Sequence, residues 1–444
     1  MSTKCETIDD VRRLVKEMNV SFIQFWFTDV LGMLKSFAIT PSELDEGITE
    51  GMGFDGSSIE GFARIEESDM IAKPDPTTFQ LVPWRSGENP VARMFCDILN
   101  PDGTPYGGDP RYALKRLLTK VAEQGYVFYV GPELEYFYFK NHERTEILDM
   151  GGYFDARPVD MGSNLRRETI FALQALGIQV EYSHHEVAPS QHEIDLRYDE
   201  GLRMADKTIT YRIVVKEIAN QHDVYATFMP KPIFGQNGSG MHVHQSLFKG
   251  DRNAFYEPGD DYHLSDIAKH YIAGLIHHAP EITSITNQWV NSYKRLVPGY
   301  EAPVYVSWAR RNRSAMIRVP MYKPGKEMAT RIEFRSPDPA CNPYLAFAVM
   351  LGAGMDGIEK KLELPHPIEE DIYEMNPAER RAHGIADLPE NLYAAILVTE
   401  QSELVRNVLG DHIFRKFIEN KKIEWDQYRA HVSQFELERY LPKL

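Results

Sequence analysis

Two glutamates stand one residue apart in the apolar and aromatic stretch GPELEYFYF at 131–139. Side chains of a β-strand alternate between its two faces, so Glu133 and Glu135 would share one face. Two like charges at one half-buried place repel and raise each other's pKa unless a cation lies between them. The spacing therefore indicates a site for a bound cation.

Three further segments alternate in the same way, with acidic, imidazole or guanidinium groups opposite an apolar face. They are HEIDLRY at 192–198, SGMHVHQSLF at 239–248 and TRIEFRS at 330–336, and Glu186 stands just ahead of the first of them. If all four strands pair in one sheet, these carboxylates and a histidine converge. Such ligands suit Mg²⁺ or Mn²⁺ rather than a thiolate zinc site. Ordinary solvent-facing polar sides would explain any one strand, but the four together favour a metal site.

Arginine is concentrated between 295 and 335. Its fork binds phosphate and carboxylate oxygens through two parallel hydrogen bonds. Beside a metal site, this local basicity predicts anionic substrates and phosphoryl transfer. Solvated loop charges are the simpler explanation for two of the seven, Arg310 and Arg311. The others are Arg295, Arg313, Arg318, Arg331 and Arg335.

Glycine-containing motifs give weaker signals, and a glycine-rich loop is predicted at 51–61. GMGFDG at 51–56 formally matches the dinucleotide fingerprint, but neither a buried strand before it nor a crossover helix after it is indicated. The sequence has no P-loop motif, so ATP would need another scaffold. Glu301 lies at the centre of PGYEAP (298–303), which is either a mobile lid or an exposed turn.

The elements that must position these groups fall into two parts. Residues 9–18 predict a short amphipathic helix, and SFIQFWF and MLKSFAI predict a hairpin with Gly32 in its turn. Strands are also predicted at FQLVPW and ARMFCDI. Asp109 and Pro110 are a good N-cap and first-turn residue for a following helix. The domain boundary is placed there, after a small α+β domain, and the larger second part alternates strands and helices.

Composition narrows the class of protein. The chain has 444 residues and a formal net charge of -16, which disfavours a nucleic-acid partner. Cys5, Cys96 and Cys341 suggest neither a disulfide framework nor a zinc site. No signal segment is recognised, and no run approaches the roughly 18 apolar residues of a membrane helix. A reduced, cytoplasmic protein without a membrane partner is expected.

Seven segments together resemble the glutamine synthetase family, in that family's order. They are FDGSSI, GPELEYF, HHEVAPSQHEID, NGSGMH, RLVPGYEAP, NRS and RIEFRSPD, between about residue 54 and residue 338. The resemblance is to type I, in its shorter, non-adenylylated alpha-like subtype. It implies an α+β fold with an N-terminal β-grasp-like domain (1–103) and a catalytic domain (104–444) whose curved, mainly antiparallel sheet is flanked by helices. It further implies a homo-oligomer, a dodecamer of two hexameric rings, with active sites shared between neighbours.

The resemblance also implies roles for individual residues. Glu135, Glu186 and Glu193 would hold one Mg²⁺ or Mn²⁺ ion, and Glu133, His242 and Glu333 a second. The predicted glutamate-binding residues are Asn237, Gly238, Arg295, Glu301, Arg313 and Arg335. The predicted ATP-binding residues are Glu181, Leu196, Arg197, Tyr198, His244, Gln245, Ser246, Arg313 and Arg318.

The implied reaction has two steps. ATP phosphorylates the γ-carboxylate of glutamate, and ammonia then displaces phosphate to give glutamine, so one hard step becomes two easier ones. The predicted catalytic residues are Asp55, Glu301, Arg313 and Arg331. Asp55 of a neighbouring subunit would bind and deprotonate ammonium, and Glu301 would close the lid and exclude water.

Regulation rests on two positions. Arg64 in GFARIEESD matches a position linked to glutamine feedback inhibition in the shorter bacterial subtype. Tyr373 in DIYEMNPAE corresponds to the tyrosine that another subtype adenylylates, but its surroundings are changed, and it is predicted not to be modified. An additional role in binding a nitrogen-regulatory protein is compatible with the sequence.

Two alternatives remain at this point. One is a γ-glutamyl ligase that uses a polyamine or another amine, against which Asp55 and Glu301 argue. The other is a non-catalytic homologue, which should have lost metal ligands or arginines, and none is missing here.

Overall fold

The computed structural model describes residues 5–59, 61 and 69–444. Its first part contains two helices and a six-stranded sheet in the order β2-β1-β6-β4-β3. The sixth strand, β5, pairs with β6. β1 and β6 are parallel and the other pairs are antiparallel. The elements are α1 (Ile8–Glu17), β1 (Phe22–Thr28), β2 (Leu34–Ile39), α2 (Leu44–Thr49), β3 (Met52–Asp55), β4 (Asp69–Pro74), β5 (Gln80–Leu81) and β6 (Val91–Leu99).

Most local expectations for this part are confirmed, and two are wrong in detail. The hairpin forms, with Gly32 at φ 78° in its turn. FQLVPW, however, contributes only the two-residue β5, because Pro83 has no N–H for a ladder and starts a short 3₁₀ turn. GMGFDG was expected to be a loop, but its central residues form β3, which pairs antiparallel with β4. A dinucleotide-binding motif would need a βαβ unit at this place. The antiparallel pair is not one, so it agrees with the rejection of a dinucleotide site.

The second part contains a ten-stranded sheet flanked by helices. Its elements are α3 (Pro110–Glu123), β7 (Val127–Phe139), α4 (Ser163–Ala175), β8 (Val180–His185), β9 (Gln191–Leu196), β10 (Asp199–Glu200), α5 (Gly201–Gln221), β11 (Tyr225–Thr227), β12 (Met241–Lys249), β13 (Arg252–Asn253), α6 (Asp266–Thr286), α7 (Ser292–Arg295), β14 (Tyr305–Val306), β15 (Trp308–Ala309), β16 (Ile317–Arg318), β17 (Ile332–Phe334), α8 (Pro343–Lys360), α9 (Pro377–Ala382), β18 (Ala386–Asp387), α10 (Leu392–Glu400), α11 (Glu403–Leu409), α12 (Asp411–Ala430) and α13 (Gln434–Tyr440).

The four strands with chemical groups on one face are neighbours in this sheet. The order is β15-β16-β17-β12-β7-β9-β8, with β10 and β11 also on β7 and β13 on β12. All pairs are antiparallel except β15 and β16, which confirms the mainly antiparallel sheet and the α+β class. The shared face of β7, β9, β12 and β17 therefore carries the predicted site.

The opposite face of β7 is the core face. Leu134, Tyr136 and Tyr138 are fully buried there, and the Tyr211 hydroxyl of α5 donates to the Leu134 carbonyl at 3.2 Å. Because α5 covers this face, the polar face is the one left open to form a cavity.

Buried contacts join the two parts of the chain. Asp109 caps α3 as expected, its carboxylate accepting from the Arg111 amide at 2.9 Å. The Arg111 guanidinium pairs at 2.8 Å with Asp75, which follows β4, and at 3.0 Å with Asp206 of α5. The Asn342 amide also donates to the Val30 carbonyl at 3.1 Å. Within the described ranges, helices of the length and apolar character needed to cross a membrane are absent.

Candidate active site

A cavity of about 270 Å³ lies on the polar face of the large sheet, and all six side chains predicted to bind metal line it. Strand register brings them together: Glu133 lies opposite His242, and Glu135 opposite Glu193. Glu186 follows β8, and Glu333 comes from β17 on the far side of β12. Converging strands thus place residues that are 200 positions apart in sequence around one space.

Glu135, Glu186 and Glu193 form one half of this cluster. His184 lies between two of them, with Nε2 2.9 Å from Glu186 Oε1 and 3.4 Å from Glu193 Oε2. Glu135 accepts hydrogen bonds from the Gln191 side chain at 3.0 Å and from the Gly240 amide at 2.8 Å.

Glu135 and Glu193 face each other across the paired strands, and both are hard to ionise. Burial, and then the negative charge of Glu186, raises the pKa of Glu135 to about 8. Burial raises the pKa of Glu193 well above its usual range, and the charges of Asp195 and Glu135 add to the effect. This half of the cluster is therefore short of positive charge.

Glu133, His242 and Glu333 form the other half, and here the carboxylates have imidazole and guanidinium partners. His242 Nδ1 lies 3.4 Å from Glu133 and 3.8 Å from Glu333, while His244 Nε2 lies 2.7 Å from Glu133. Burial would raise the pKa of Glu133, but His244 and His242 hold it well below its usual value. Burial would also raise the pKa of Glu333, but Arg335 and the neighbouring imidazoles lower it to about 2.

The donors of both halves fit divalent cations. Ligand atoms of His184, Glu186 and Glu193 lie within 4.8 Å of one another, as do those of Glu133, His244 and Glu333. Carboxylate oxygens with one imidazole are ligands of Mg²⁺ and Mn²⁺ in proteins. A cation would also relieve the repulsion that raises the pKa of Glu193.

The predicted glutamate-binding residues line the same cavity, as does Arg318. Arg295 is buried, and its guanidinium donates to the carbonyl oxygens of Ser336 at 2.7 Å and Arg335 at 3.1 Å. These bonds fix the Arg295 fork in place. The Asn237 amide donates to Glu301 Oε2 at 3.0 Å, so Glu301 contacts another of the predicted glutamate-binding residues.

A second cavity of about 240 Å³ adjoins the first and shares Glu133 and Tyr182 with it. Six of the predicted ATP-binding residues line it, together with Arg331. They are Glu181, Leu196, Tyr198, His244, Gln245 and Ser246. Arg331 Nε donates to His244 Nδ1 at 3.1 Å. Arg313, Arg318 and Arg331 also line a third cavity of about 650 Å³, so the predicted phosphate-binding arginines cluster between the spaces.

Of the predicted ATP-binding residues, Arg197 alone lines none of these three cavities. β9 ends at Leu196, so the alternation that placed Arg197 on the face of Glu193 does not reach it. Its exposed guanidinium lies 3.9 Å from Glu181 instead.

Asp55 also lies apart from the cavities of this chain as described. Asp55 ends β3 with an exposed side chain that accepts from the Ser57 amide at 2.8 Å. Hydrogen bonds from the side chain and backbone of Ser57 lower the pKa of Asp55, which favours the carboxylate. Arg64 lies outside the described residues.

The sequence predicted no role for eight residues that line the first cavity, among them Tyr153, Tyr182, His184 and Gln191. Gln191 alternates with Glu193 along β9, so the strand pattern could have found it. His184 needed the pairing of β8 with β9, which places it opposite Glu193. Tyr153 comes from an irregular segment, and its sequence context carries no signal.

Comparisons with known proteins agree along the whole chain. The family profile described as glutamine synthetase, catalytic domain, matches residues 107–440, and that described as glutamine synthetase, beta-Grasp domain, matches residues 19–101. The glutamine synthetase of Mycolicibacterium smegmatis is 52% identical over 437 residues, covering 97% of this chain and 98% of the relative. That of Methanosarcina mazei is 50% identical over 445 residues, covering 99% of each.

Solved structures show the same fold. Plasmodium falciparum glutamine synthetase superposes with a TM-score of 0.89 at 25% identity, covering 98% of each chain. A structure described as GmaS in complex with ADP superposes with a TM-score of 0.88 at 29% identity, covering 97% of this chain and 99% of the other.

The β-grasp domain, the curved sheet and the paired clusters define an ATP-dependent ligase of a class that uses divalent metal. The chain belongs to the glutamine synthetase family. Its reaction is the ligation of ammonia to L-glutamate, with ATP converted to ADP and phosphate. The γ-glutamyl ligase alternative finds no support in these comparisons.

Proposed function

We propose that the cavity on the polar face of the large sheet activates the γ-carboxylate of glutamate as an acyl phosphate and then admits ammonia. The observation that carries this proposal is the convergence of six metal-type ligands and four arginines in one cavity that adjoins a second. The arginines there are Arg295, Arg313, Arg318 and Arg335.

Two or more Mg²⁺ or Mn²⁺ ions are proposed at this site. Glu135, Glu186 and Glu193 would hold one, and Glu133, His242 and Glu333 the other. When bound, such ions orient phosphate oxygens and neutralise charge that develops during phosphoryl transfer. His184 contacts both Glu186 and Glu193, which supports a further role for it in holding the first ion.

The substrates are proposed to bind from two sides. Asn237, Gly238, Arg295 and Arg335 would hold glutamate, with the fixed Arg295 fork facing a carboxylate. ATP would occupy the second cavity, with Ser246 and Tyr198 at its walls. Arg313, Arg318 and Arg331 would then face the transferred phosphoryl group, where their charges stabilise the transition state.

Ammonia must be uncharged to attack, although ammonium dominates at neutral pH. A carboxylate at the entrance attracts the cation and takes its proton. Asp55 is proposed for this role from a neighbouring subunit, which its exposed side chain and its distance from the cavity of its own chain support. Glu301 would cover the acyl phosphate and keep water out.

The wider setting is proposed as follows. The chain divides at 103/104 into the β-grasp-like and catalytic domains, and twelve copies assemble as two hexameric rings in the cytoplasm. Arg64 takes part in feedback inhibition by glutamine. Tyr373 is not adenylylated, and a nitrogen-regulatory protein is a further candidate partner.

The test is phosphate release from ATP with Mg²⁺ and glutamate, with ammonium, with a polyamine at equal concentration, and with neither. We expect ammonium-dependent release with an equal amount of glutamine. Glu333→Ala should abolish both, whereas Glu88→Gln, an exposed carboxylate outside the sheet, should change neither. Release that needs the polyamine would replace this proposal with the ligase, and release unaffected by Glu333→Ala would overturn the metal assignment.

A further inference from the structure

The lid segment 298–303 is held differently at its two ends. Its tip is exposed, with Gly299 at φ 92° and Glu301 at φ 59°, a conformation that a non-glycine residue adopts only when its surroundings impose it. Ala302 and Val304, which follow, are buried. The change from exposed tip to buried base therefore falls at Glu301 itself.

The base is fastened by a segment that we name the clasp, residues 373–388. The Tyr373 hydroxyl donates to the Ala302 carbonyl at 2.6 Å, and the Leu388 amide donates to the Val304 carbonyl at 2.9 Å. β14 pairs with β18 directly afterwards. The Tyr373 bond is the contact of the clasp that lies nearest to Glu301 in sequence.

Packing fixes the direction of this donor. The Tyr373 ring lies 5.9 Å from the Tyr305 ring, over which the Arg380 guanidinium stacks at 4.5 Å. Burial raises the pKa of Tyr373 to about 12, against the opposing charges of Arg335 and Arg295. The hydroxyl therefore remains protonated at neutral pH and available to the Ala302 carbonyl.

Two side-chain contacts hold the tip. Asn237 donates to the Glu301 carboxylate, and the Lys231 ammonium lies 3.6 Å from the centre of the Tyr300 ring. These contacts hold the tip from the cavity side, whereas the clasp holds the base from behind. The orientation of Glu301 depends on both.

We propose that Tyr373 is a positioning residue for the ligase reaction, acting through the Ala302 carbonyl to set where Glu301 lies over the cavity. The inference rests on the proposed lid role of Glu301. Water that reached the acyl phosphate would give back glutamate and phosphate, so a loosened lid would release phosphate without forming glutamine. Tyr373 itself touches neither substrate nor metal ligands in this account.

The test compares Tyr373→Phe with the unaltered enzyme, both as assembled full-length protein. The measured quantity is excess phosphate, meaning phosphate released minus glutamine formed. Loss of one hydrogen bond predicts an increase of about fivefold in this excess, with the KM for ATP unchanged. A ratio of phosphate to glutamine that stays at the unaltered value would overturn the inference.

Two further variants separate the possible causes. Tyr305→Phe keeps the ring packing of the clasp, and its coupling should match the unaltered enzyme. Glu301→Gln should uncouple the reaction strongly. If Glu301→Gln leaves coupling intact, the lid role itself is wrong; if it uncouples while Tyr373→Phe does not, only the role of Tyr373 is wrong.

Hydrogen exchange gives a readout independent of turnover. Amides of a peptide spanning the lid should exchange faster in Tyr373→Phe than in Tyr305→Phe, with both variants melting at the same temperature. Equal exchange in the two variants would contradict the proposed bracing.

Discussion

Single residues of the site differ in how the protein itself balances their charge. Glu133 and Glu333 have imidazole and guanidinium partners, which keep their pKa values low. Glu193 lies among other carboxylates and is buried, so its pKa is raised. The carboxylate of Glu193 therefore lowers the stability of the folded protein, and it becomes favourable only when a cation is bound.

Glu193→Gln should remove this loss of folding stability. Without divalent cations, the variant should melt at a higher temperature than the unaltered protein, because a buried amide neither repels the neighbouring carboxylates nor has to bind a proton on folding. With Mg²⁺, its melting temperature should rise less, because ligands for the cation are lost, and cation affinity should fall at least about tenfold.

Thermal melts across a Mg²⁺ titration, with Glu88→Gln as the matched control, measure both effects. A variant that is less stable than the unaltered protein without cations and stabilised equally by Mg²⁺ would show that Glu193 is a structural residue only.

The strand alternation in the sequence was sufficient to place Glu133 and Glu135 on one face of β7, and Glu193 and Asp195 on one face of β9. It could not place His184 or Tyr153. His184 joins the cluster through the register of β8 on β9, and no rule of spacing within one segment specifies that register. Long-range pairing is what single-segment patterns leave undetermined.

At the scale of elements, α6 and α8 approach closely enough to need glycine at their contact. A Cβ on Gly274 would lie 2.1 Å from the Ala353 carbonyl oxygen and 2.9 Å from the Gly357 Cα. Both obstacles are backbone atoms, so neither can turn away as a flexible side chain would.

Gly274→Ala should therefore destabilise the protein by about 2 kcal/mol or more, as overpacking does. Gly87→Ala adds its Cβ where no heavy atom lies within 4 Å and should be nearly neutral. Differential scanning calorimetry of the two variants is the measurement. Equal melting temperatures would mean that the helices can separate without cost.

The α3 cap predicts a pH dependence. Asp109 is buried, and burial followed by the charge of Asp97 raises its pKa to about 7. In the unfolded chain an aspartate titrates near about 3.9. Between these values the folded state binds more protons than the unfolded state, so the contribution of Asp109 to stability falls as pH rises.

Asp109→Asn removes this titration. The melting temperature of the unaltered protein minus that of the variant should decrease from pH 5.5 to pH 7.5. A difference that stays constant or grows with pH would contradict the raised pKa. Melting scans at the two pH values, in buffers of equal ionic strength, decide between these results.

Helix ends and turns were the elements best predicted from the sequence, because their signals are local. Asp109 and Pro110 specify the start of α3 by their own chemistry. Strand lengths were less well predicted: TRIEFRS forms only Ile332–Phe334, and HEIDLRY stops before Arg197. A strand ends where its partner ends, and the partner lies elsewhere in the sequence.

At the scale of the whole molecule, the proposed site is incomplete within one chain. Asp55 lies on β3 of the small sheet, apart from the cavity that holds Glu333. The single chain therefore brings together the proposed metal, glutamate and nucleotide sides of the site but not the proposed ammonium side.

Mixed oligomers test this sharing. Asp55→Ala and Glu333→Ala subunits should each be inactive alone. Co-expressed in equal amounts, they should recover about a quarter of full activity, because half of the subunits offer an intact Asp55 and half an intact Glu333. Mixtures as inactive as either parent would place both residues in the same chain's site.

The division into two parts was predicted from local sequence signals, but the fold of each part followed from the resemblance. Alternation and capping indicated a small α+β part and a larger one, whereas the β-grasp fold and the curved sheet came with the order of seven motifs. The reason is physical: strand order in a sheet is set by non-local pairing, of which β1 beside β6 is an example.

The central claim is that the γ-carboxylate of glutamate is phosphorylated before ammonia attacks. Its most direct test uses glutamate carrying heavy oxygen in the γ-carboxylate, with ATP, Mg²⁺ and ammonium, and mass spectrometry of the phosphate formed. The account predicts that each phosphate carries one oxygen from glutamate, because ammonia displaces phosphate together with that oxygen. Phosphate without heavy oxygen, formed alongside labelled glutamine, would contradict it.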